Sequence, residues 1–233
     1  MKALTQSRRL IDTQVQLKEF LPELRKSSWV SLDTEADSLH SYPEKLCLLQ
    51  ISLPDTDVLI DPLQKLDMTA LFKALASREL LIHGSDNDLR LMYAAQQFVP
   101  SKIFDTMWAA RLLGFSAFGL NDLLSKLLGI TLDKGSQKAN WTRRPLTDKM
   151  AIYALNDSRH LRALADKLRD QLKAKGRTDW HGQICDKLIK DHAAPKEADL
   201  NQAWRLKGTS KLNRREQAIL RAAWQWREIE AID

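Results

Sequence analysis

Five residues in three separate stretches could do chemistry together. Asp33 and Glu35 stand two apart in the β-prone run Trp29-Val-Ser-Leu-Asp-Thr-Glu35, so both carboxylates project from one face of a strand. Adjacent like charges repel and add no stability, whereas a bound cation reverses the sign of the interaction. In His83-Gly-Ser-Asp-Asn-Asp88, Asp88 falls in the first turn of a helix that follows the end of a strand, where open α/β sheets usually carry their sites. Tyr153-Ala-Leu-Asn-Asp157 sets a phenol and a carboxylate one helical turn apart. Taken singly, each has an ordinary explanation: an exposed strand end, compensation of a helix dipole, a Tyr at the core margin beside a solvated Asp. Taken together, four converging carboxylates cannot all stay ionised without cations, and oxygen-only ligands select Mg²⁺ or Mn²⁺. Two such ions about 4 Å apart stabilise the attacking and leaving oxygens of phosphodiester hydrolysis. With an ordinary pKa of about 10, Tyr153 is a poor base and is expected to orient the attacking water.

The elements that must position these groups are readable in outline. Leu10-Ile11 suits a short edge strand, and Thr13 caps a helix to about Arg25 with Val15, Leu17, Phe20, Leu21 and Leu24 as its apolar stripe. Residues 45–53 read as a buried strand, Pro54-Asp55 as a turn and Val58–Ile60 as the hairpin partner. A helix over 68–76 leads to a central strand, Leu80-Leu-Ile-His83, and a second helix runs over 87–98. His83 has no other His nearby in sequence and suits a hydrogen-bonded core position better than a metal site. Helices are expected over 106–113 and 119–128, then one long helix from Thr147 to about Gly176, which contains no Gly or Pro. The polar, basic loop between them, residues 131–146, holds Trp141 and Arg144. Its cations suit phosphates and its single Trp suits a base; equally, Trp141 could pin the loop to the body. Further helical patterns cover 180–194, 197–204 and 212–229, with Ala193-Ala-Pro195 as a joint. Strands first and helices interleaved afterwards imply an α/β fold with a mixed sheet.

The chain has 233 residues, 44% apolar and 28% charged, which suits one soluble domain with an appendage. No apolar run approaches the ~20 residues of a membrane span, and the first residues show no export pattern, so a cytoplasmic protein without a membrane partner is expected. Cys47 and Cys185 form no metal or redox pattern and are expected as packed thiols. The net charge of +6 is uneven: residues 171–233 hold 13 Lys and Arg against 9 Asp and Glu. A basic tail is compatible with a polyanionic partner.

The three stretches, in this order, resemble ribonuclease D, within the DEDD superfamily of 3′–5′ exonucleases and its Tyr-containing subgroup. The motifs are Leu32-Asp-Thr-Glu-Ala36, His83-Gly-Ser-Asp-Asn-Asp-Leu89 and Tyr153-x-x-x-Asp157, with the loop Leu132-Asp-Lys134…Trp141-x-x-Arg144-Pro-Leu-Thr147 between the last two. The resemblance implies a ribonuclease H-like mixed β-sheet flanked by helices, followed by a helical tail. It implies a two-metal exoribonuclease, using Mg²⁺ or Mn²⁺, that trims single-stranded RNA 3′ ends, tRNA precursors among them, to 5′-mononucleotides. Asp33 would bridge both ions, Glu35 and Asp157 would complete the tighter site, Asp88 would act largely through water on the metal, and Tyr153 would orient the nucleophile. Asp33-Thr-Glu-Ala-Asp-Ser-Leu39 is also similar to the proofreading exonuclease of DNA polymerase I, which makes Leu39 a candidate wedge between terminal bases. Thr34, Leu39, His83, Trp141 and Arg144 are then the candidate substrate contacts, His83 near the terminal phosphate or sugar. Two departures stand out: Ala36 where many ribonucleases D carry an aromatic, and residues 200–233, which resemble only the opening of a helical HRDC domain. The expected division is a catalytic domain over 1–194 and a tail over 195–233. A DNA 3′–5′ exonuclease would use the same site, and the 2′-OH contact that distinguishes RNA is not identifiable in the sequence. An inactive nucleic-acid-binding module is disfavoured, because it has no reason to keep clustered like charge.

Overall fold

Thr13 opens the first helix by a reciprocal cap: its hydroxyl accepts from the Gln16 amide, and the Gln16 side chain accepts from the Thr13 amide. The computed structural model describes residues 9–38, 40–133, 135–193 and 200–231. In chain order the elements are β1 (Arg9–Ile11), α1 (Gln14–Lys26), β2 (Trp29–Ala36), β3 (Leu46–Ser52), β4 (Asp57–Ile60), α2 (Thr69–Ala76), β5 (Glu79–Ile82), α3 (Asp86–Gln96) and β6 (Lys102–Asp105). Among the described residues, helices then follow: α4 (Thr106–Leu113), α5 (Leu120–Leu128), α6 (Asp148–Arg159), α7 (Leu161–Ala174), α8 (Thr178–His192), α9 (Leu200–Ala203) and α10 (Arg214–Glu230).

The six strands form one mixed sheet in the order β1-β4-β3-β2-β5-β6. β2 runs antiparallel to β3 on one side and parallel to β5 on the other, so the strand carrying Asp33 and Glu35 is central and bonded along both edges. Alternation along β2 sorts the two faces. Val30 and Leu32 join Leu49, Ile51 and Leu80 in a core covered by α1, α2, α3 and α8. On the opposite face, Leu81 and Phe104 lie under α4, α5 and α7, whereas Leu48 and Leu59 lie under α6 and Trp141. This is the mixed α/β sheet flanked by helices that the sequence implies. Cys47 and Cys185 are buried free thiols. Among the described residues no helix is long and apolar enough to cross a membrane.

Three expectations change. Val15 is 65% exposed, because the packed face of α1 is carried by Leu17, Phe20, Leu21 and Leu24 alone. The edge strand β6 was not anticipated; Lys102-Ile-Phe-Asp105 is too short to show alternation. The long helix is broken at His160 into α6 and α7, which pack in different clusters on the same face of the sheet. No Gly or Pro marks that break, and periodicity continues through it.

Trp141 and Arg144 form a clasp and not a substrate surface. Trp141 is 2% exposed and packs with Leu48, Leu59 and Met150, its ring tilted against Tyr153 with centroids 6.2 Å apart. A ring so enclosed has no face for a base, so the pin is the role the packing shows. Arg144 grips Asp61 with both prongs, Nε to Oδ2 at 2.5 Å and an NH to Oδ1 at 2.7 Å. Its remaining donors reach the carbonyls of Cys47 and Trp141, each at 2.8 Å. Burial alone would raise the Asp61 pKa, but the bidentate guanidinium outweighs it and holds the carboxyl below its ordinary value. Every arm of Arg144 is therefore engaged within the protein, and a phosphate contact is not available to it. Arg144→Ala should destabilise the fold by about 3–5 kcal/mol, because Asp61 is left buried and unpaired. The double variant with Asp61→Leu and Arg144→Met should recover most of that loss in thermal melts. An unchanged melting temperature with weakened RNA binding would return Arg144 to the substrate surface.

Candidate active site

The site begins where β2 ends. Asp33 and Glu35 lie on the face that α6 covers, and a register shift between Glu35 and Ala36 turns the end of the strand. The next residue, Asp37, is buried, and its carboxylate accepts from the Lys45 amide at 2.6 Å, closing the loop that follows. Leu39 lies outside the described residues. From across the face, α6 delivers Asp157, and oxygens of Asp33, Glu35 and Asp157 lie within 4.8 Å of one another. Thr147 fixes the start of α6 by accepting from the Met150 amide, which sets the rotation of Tyr153 and Asp157.

Asp88 arrives by a different route. β5 ends at Ile82, Gly84 turns the chain with a φ of +73° that favours glycine, and α3 starts at Asp86. Asp105 holds this turn. Its carboxylate accepts from the amides of Gly84 (3.2 Å) and Ser85 (2.8 Å), and from Met107 and Trp108 at the start of α4. An Asp directly before Thr106 is a recognisable N-cap, so half of that role was legible. Asp88 is buried and its Oδ1 accepts from the Thr34 hydroxyl at 2.6 Å. The Thr34 hydroxyl thus helps to orient Asp88. Asp88 stands outside the group of three carboxylates.

His83 follows the same logic. The Thr106 hydroxyl donates to the Ile82 carbonyl at 3.2 Å, so it can only accept from His83 Nδ1, 2.9 Å away. That fixes the tautomer with the proton on Nδ1 and leaves Nε2 as an acceptor. Burial lowers the His83 pKa, although Asp105 opposes the shift, so the ring is neutral. A neutral acceptor suits a sugar hydroxyl and does not suit a phosphate.

The carboxylates are strongly perturbed. Burial, then the charges of Asp88, Asp157 and Glu35, push Asp33 well above the carboxylate range. Burial, then Asp157 and Asp88, raise Glu35 to about 9. Burial raises Asp157 to about 7 despite its hydrogen bond with Tyr153, and raises Asp88 to about 6 despite that from Thr34. Tyr153 is pushed up by burial and by the three carboxylates, so its phenol stays protonated and acts as a donor. Such a set of oxygens is unfavourable without positive charge and fits a hard divalent cation. Asp33, Glu35 and Asp157 could hold one.

Two hollows flank Tyr153. One, of about 210 Å³, is lined by Asn121, Asp122, Asp133, Gln137 and Asp157. The other is lined by Ser136, Lys149, Ile152 and Asn156. The loop over 131–146 therefore does reach the cleft, through Asp133, Ser136 and Gln137 and not through its Trp and Arg. Nothing in residue type alone separated those polar residues from solvated ones.

A family model described as a 3′–5′ exonuclease matches residues 8–173. The ribonuclease D of Bartonella henselae is 34% identical over 230 residues, covering 96% of this chain and 55% of that protein. The solved Escherichia coli RNase D, titled an exoribonuclease involved in structured RNA processing, superposes with a TM-score of 0.82 at 26% identity, over 97% of this chain and 60% of that one. Brucella melitensis NrnC bound to pGG superposes with a TM-score of 0.65 at 25% identity, over 72% of this chain and 84% of that one. The chain thus spans a little over half the length of the ribonuclease D relatives it matches. With the matched region enclosing all four carboxylates and Tyr153, the chain belongs to the 3′–5′ exonuclease family.

Proposed function

We propose that this chain hydrolyses RNA from the 3′ end, one nucleotide at a time, releasing 5′-mononucleotides. The observation that carries the reading is the convergence of Asp33, Glu35 and Asp157 beside Asp88 and a protonated Tyr153. Two divalent ions, Mg²⁺ or Mn²⁺, would be held by Asp33, Glu35 and Asp157, with Asp88 at the margin. When bound, such ions supply charge for the attacking and leaving oxygens and acidify water. The single phenolic proton of Tyr153 points to Asp157; with cations engaging Asp157, that proton would turn to the attacking water and orient it. His83 Nε2 accepts from a hydroxyl of the terminal sugar, and Lys149 faces the phosphates from the second hollow. Single-stranded 3′ ends of structured RNAs, tRNA precursors among them, are the proposed substrates in a cytoplasmic setting.

The proposed division sets a catalytic body over 1–194 and a tail over 195–233. Supporting it, α10 buries none of its residues, and Ile219, Trp226 and Ile229 stand exposed along it. A helix of this kind suits the first part of a longer helical domain.

The test is digestion of matched 5′-labelled RNA and DNA with Mg²⁺, with Mn²⁺ and with chelator. A metal-dependent ladder shortening RNA from the 3′ end is expected. A ladder on DNA alone would transfer the same chemistry to the other polymer, and no ladder with either would sink the reading. Tyr153→Phe should slow the ladder by roughly 10–100-fold, the worth of one hydrogen bond to a charged group, while Mn²⁺ binding by calorimetry is retained. An unchanged rate would remove Tyr153 from the mechanism.

A further inference from the structure

Beneath the carboxylates lies a polar layer that the chemistry above does not use. Gln50, on β3, stands directly opposite Asp33 on one side and Leu59 on the other. Directly opposed residues of antiparallel strands project from the same face, with Cβ atoms about 5 Å apart. Gln50 therefore rises on the Asp33 side of the sheet, under α6. Two residues along the same face Ser52 opposes Ser31, and the Ser52 hydroxyl meets that of Ser158 at 2.9 Å, next in sequence to Asp157. Gln50, Ser31 and Ser158 are fully buried.

Gln50 has neither its amide nitrogen nor its amide oxygen bonded to any protein atom, and the hydroxyl of Ser31 is equally unpartnered. Buried polar atoms are nearly always satisfied. The neighbours along this face, Leu48 and Leu59, are apolar, and packing alone would place a leucine at position 50. The group close by that needs donors is Asp33, whose hydrogen-bond support is a backbone amide at Thr34. Three orphaned atoms and a carboxylate make the two to four partners that one buried water requires.

We propose that Gln50 and Ser31 hold one ordered water beneath Asp33, and that Gln50 is through it a positioning residue for the metal-binding carboxylate. The water donates to the Asp33 oxygen turned away from the cleft, which leaves the other oxygen aimed at the cation. Gln50 touches neither substrate nor metal. The proposal rests on the metal-dependent reading of the site, and deepens it.

The test compares wild type, Gln50→Leu, Ser31→Ala and Asp33→Asn by Mn²⁺ titration calorimetry and by melting in chelator. Outer partners of metal ligands are worth 10–100-fold in affinity, so Gln50→Leu should bind Mn²⁺ about tenfold more weakly. In chelator it should melt at or above the wild-type temperature, since a leucine suits the apolar neighbours Leu48 and Leu59 and an immobilised water is released. Ser31→Ala, which barely changes packing, should weaken Mn²⁺ about threefold or more. Mn²⁺ affinity within twofold of wild type in both variants overturns the proposal, whatever the melting temperature. Should Gln50→Leu fail to fold, Ser31→Ala alone decides by the same criterion. Asp33→Asn separates the two levels: if it loses Mn²⁺ while Gln50→Leu and Ser31→Ala keep it, only the positioning role falls. If Asp33→Asn itself keeps Mn²⁺, the metal reading falls and this proposal with it.

Discussion

Asp33→Asn is expected to lower turnover by about three orders of magnitude or more and, at the same time, to raise the melting temperature of the metal-free protein. Both effects come from the same charge. Losing a central ligand removes several kcal/mol of charge stabilisation from the transition state, and about 4 kcal/mol corresponds to ~10³ in rate. In the metal-free protein, however, Asp33 is a desolvated carboxylate pressed on by Asp88, Asp157 and Glu35. Replacing it with an amide of the same shape relieves that repulsion, by about 2 kcal/mol on the scale of ordinary point mutations. For a chain of this size that is roughly 4–8 °C. Melts in chelator and 5′-labelled RNA digestion check the two halves separately. A destabilised variant would mean that Asp33 holds the fold, and a rate near that of wild type would remove it from the site.

The second large effect is a linkage between pH and metal. Glu35 at about 9, Asp157 at about 7 and Asp88 at about 6 all sit above their values in an unfolded chain. Between about pH 4 and those values the folded, metal-free protein binds more protons than the unfolded one, so its stability falls as pH rises. The contribution is complete below pH 4 and is lost through 6, 7 and 9 in turn. Asp61 and Glu79 work in the opposite sense: despite burial, Arg144 holds the first low, and Lys102 with Arg169 the second. Their stabilisation is lost as the solution is acidified below about 4. Melting temperature in chelator should therefore peak near pH 5 and decline towards pH 8. Mn²⁺ competes with the protons, so it should raise the melting temperature strongly at pH 8 and little at pH 5. At a hundredfold excess over Kd the gain is about 2.7 kcal/mol. A metal-induced shift of equal size at both pH values would exclude the carboxylate cluster as the binding site.

What could be read from the chain beforehand was chemistry with short spacing. Asp33 with Glu35, and Tyr153 with Asp157, reveal themselves because strand and helix periodicity alone set which residues share a face. Features that depend on pairing between distant segments were not visible. Gln50 acquires meaning only once β3 is registered against β2, and Asp105 only once the turn after β5 comes to rest on α4. Trp141 and Arg144 show the reverse failure. Their residue types suit a nucleic-acid surface, but which side a loop presents to its own body is a tertiary fact, and Asp61 claimed the guanidinium first. The helix break at His160 left no trace because the apolar period runs on through it.

The order of the strands has a consequence for how the chain can be made safely. Asp33 and Glu35 emerge early in synthesis, Asp88 later, and Asp157 only with α6, after the entire sheet has been translated. A growing chain exposes isolated acids next to the RNA of the ribosome and of its own message, but it has no assembled cleft until α6 can lie across β2 and β3. Fragments that stop short of α6 lack Tyr153 and Asp157. During its own production the proposed nuclease thus stays without its complete set of acids until the last of the site's elements has folded.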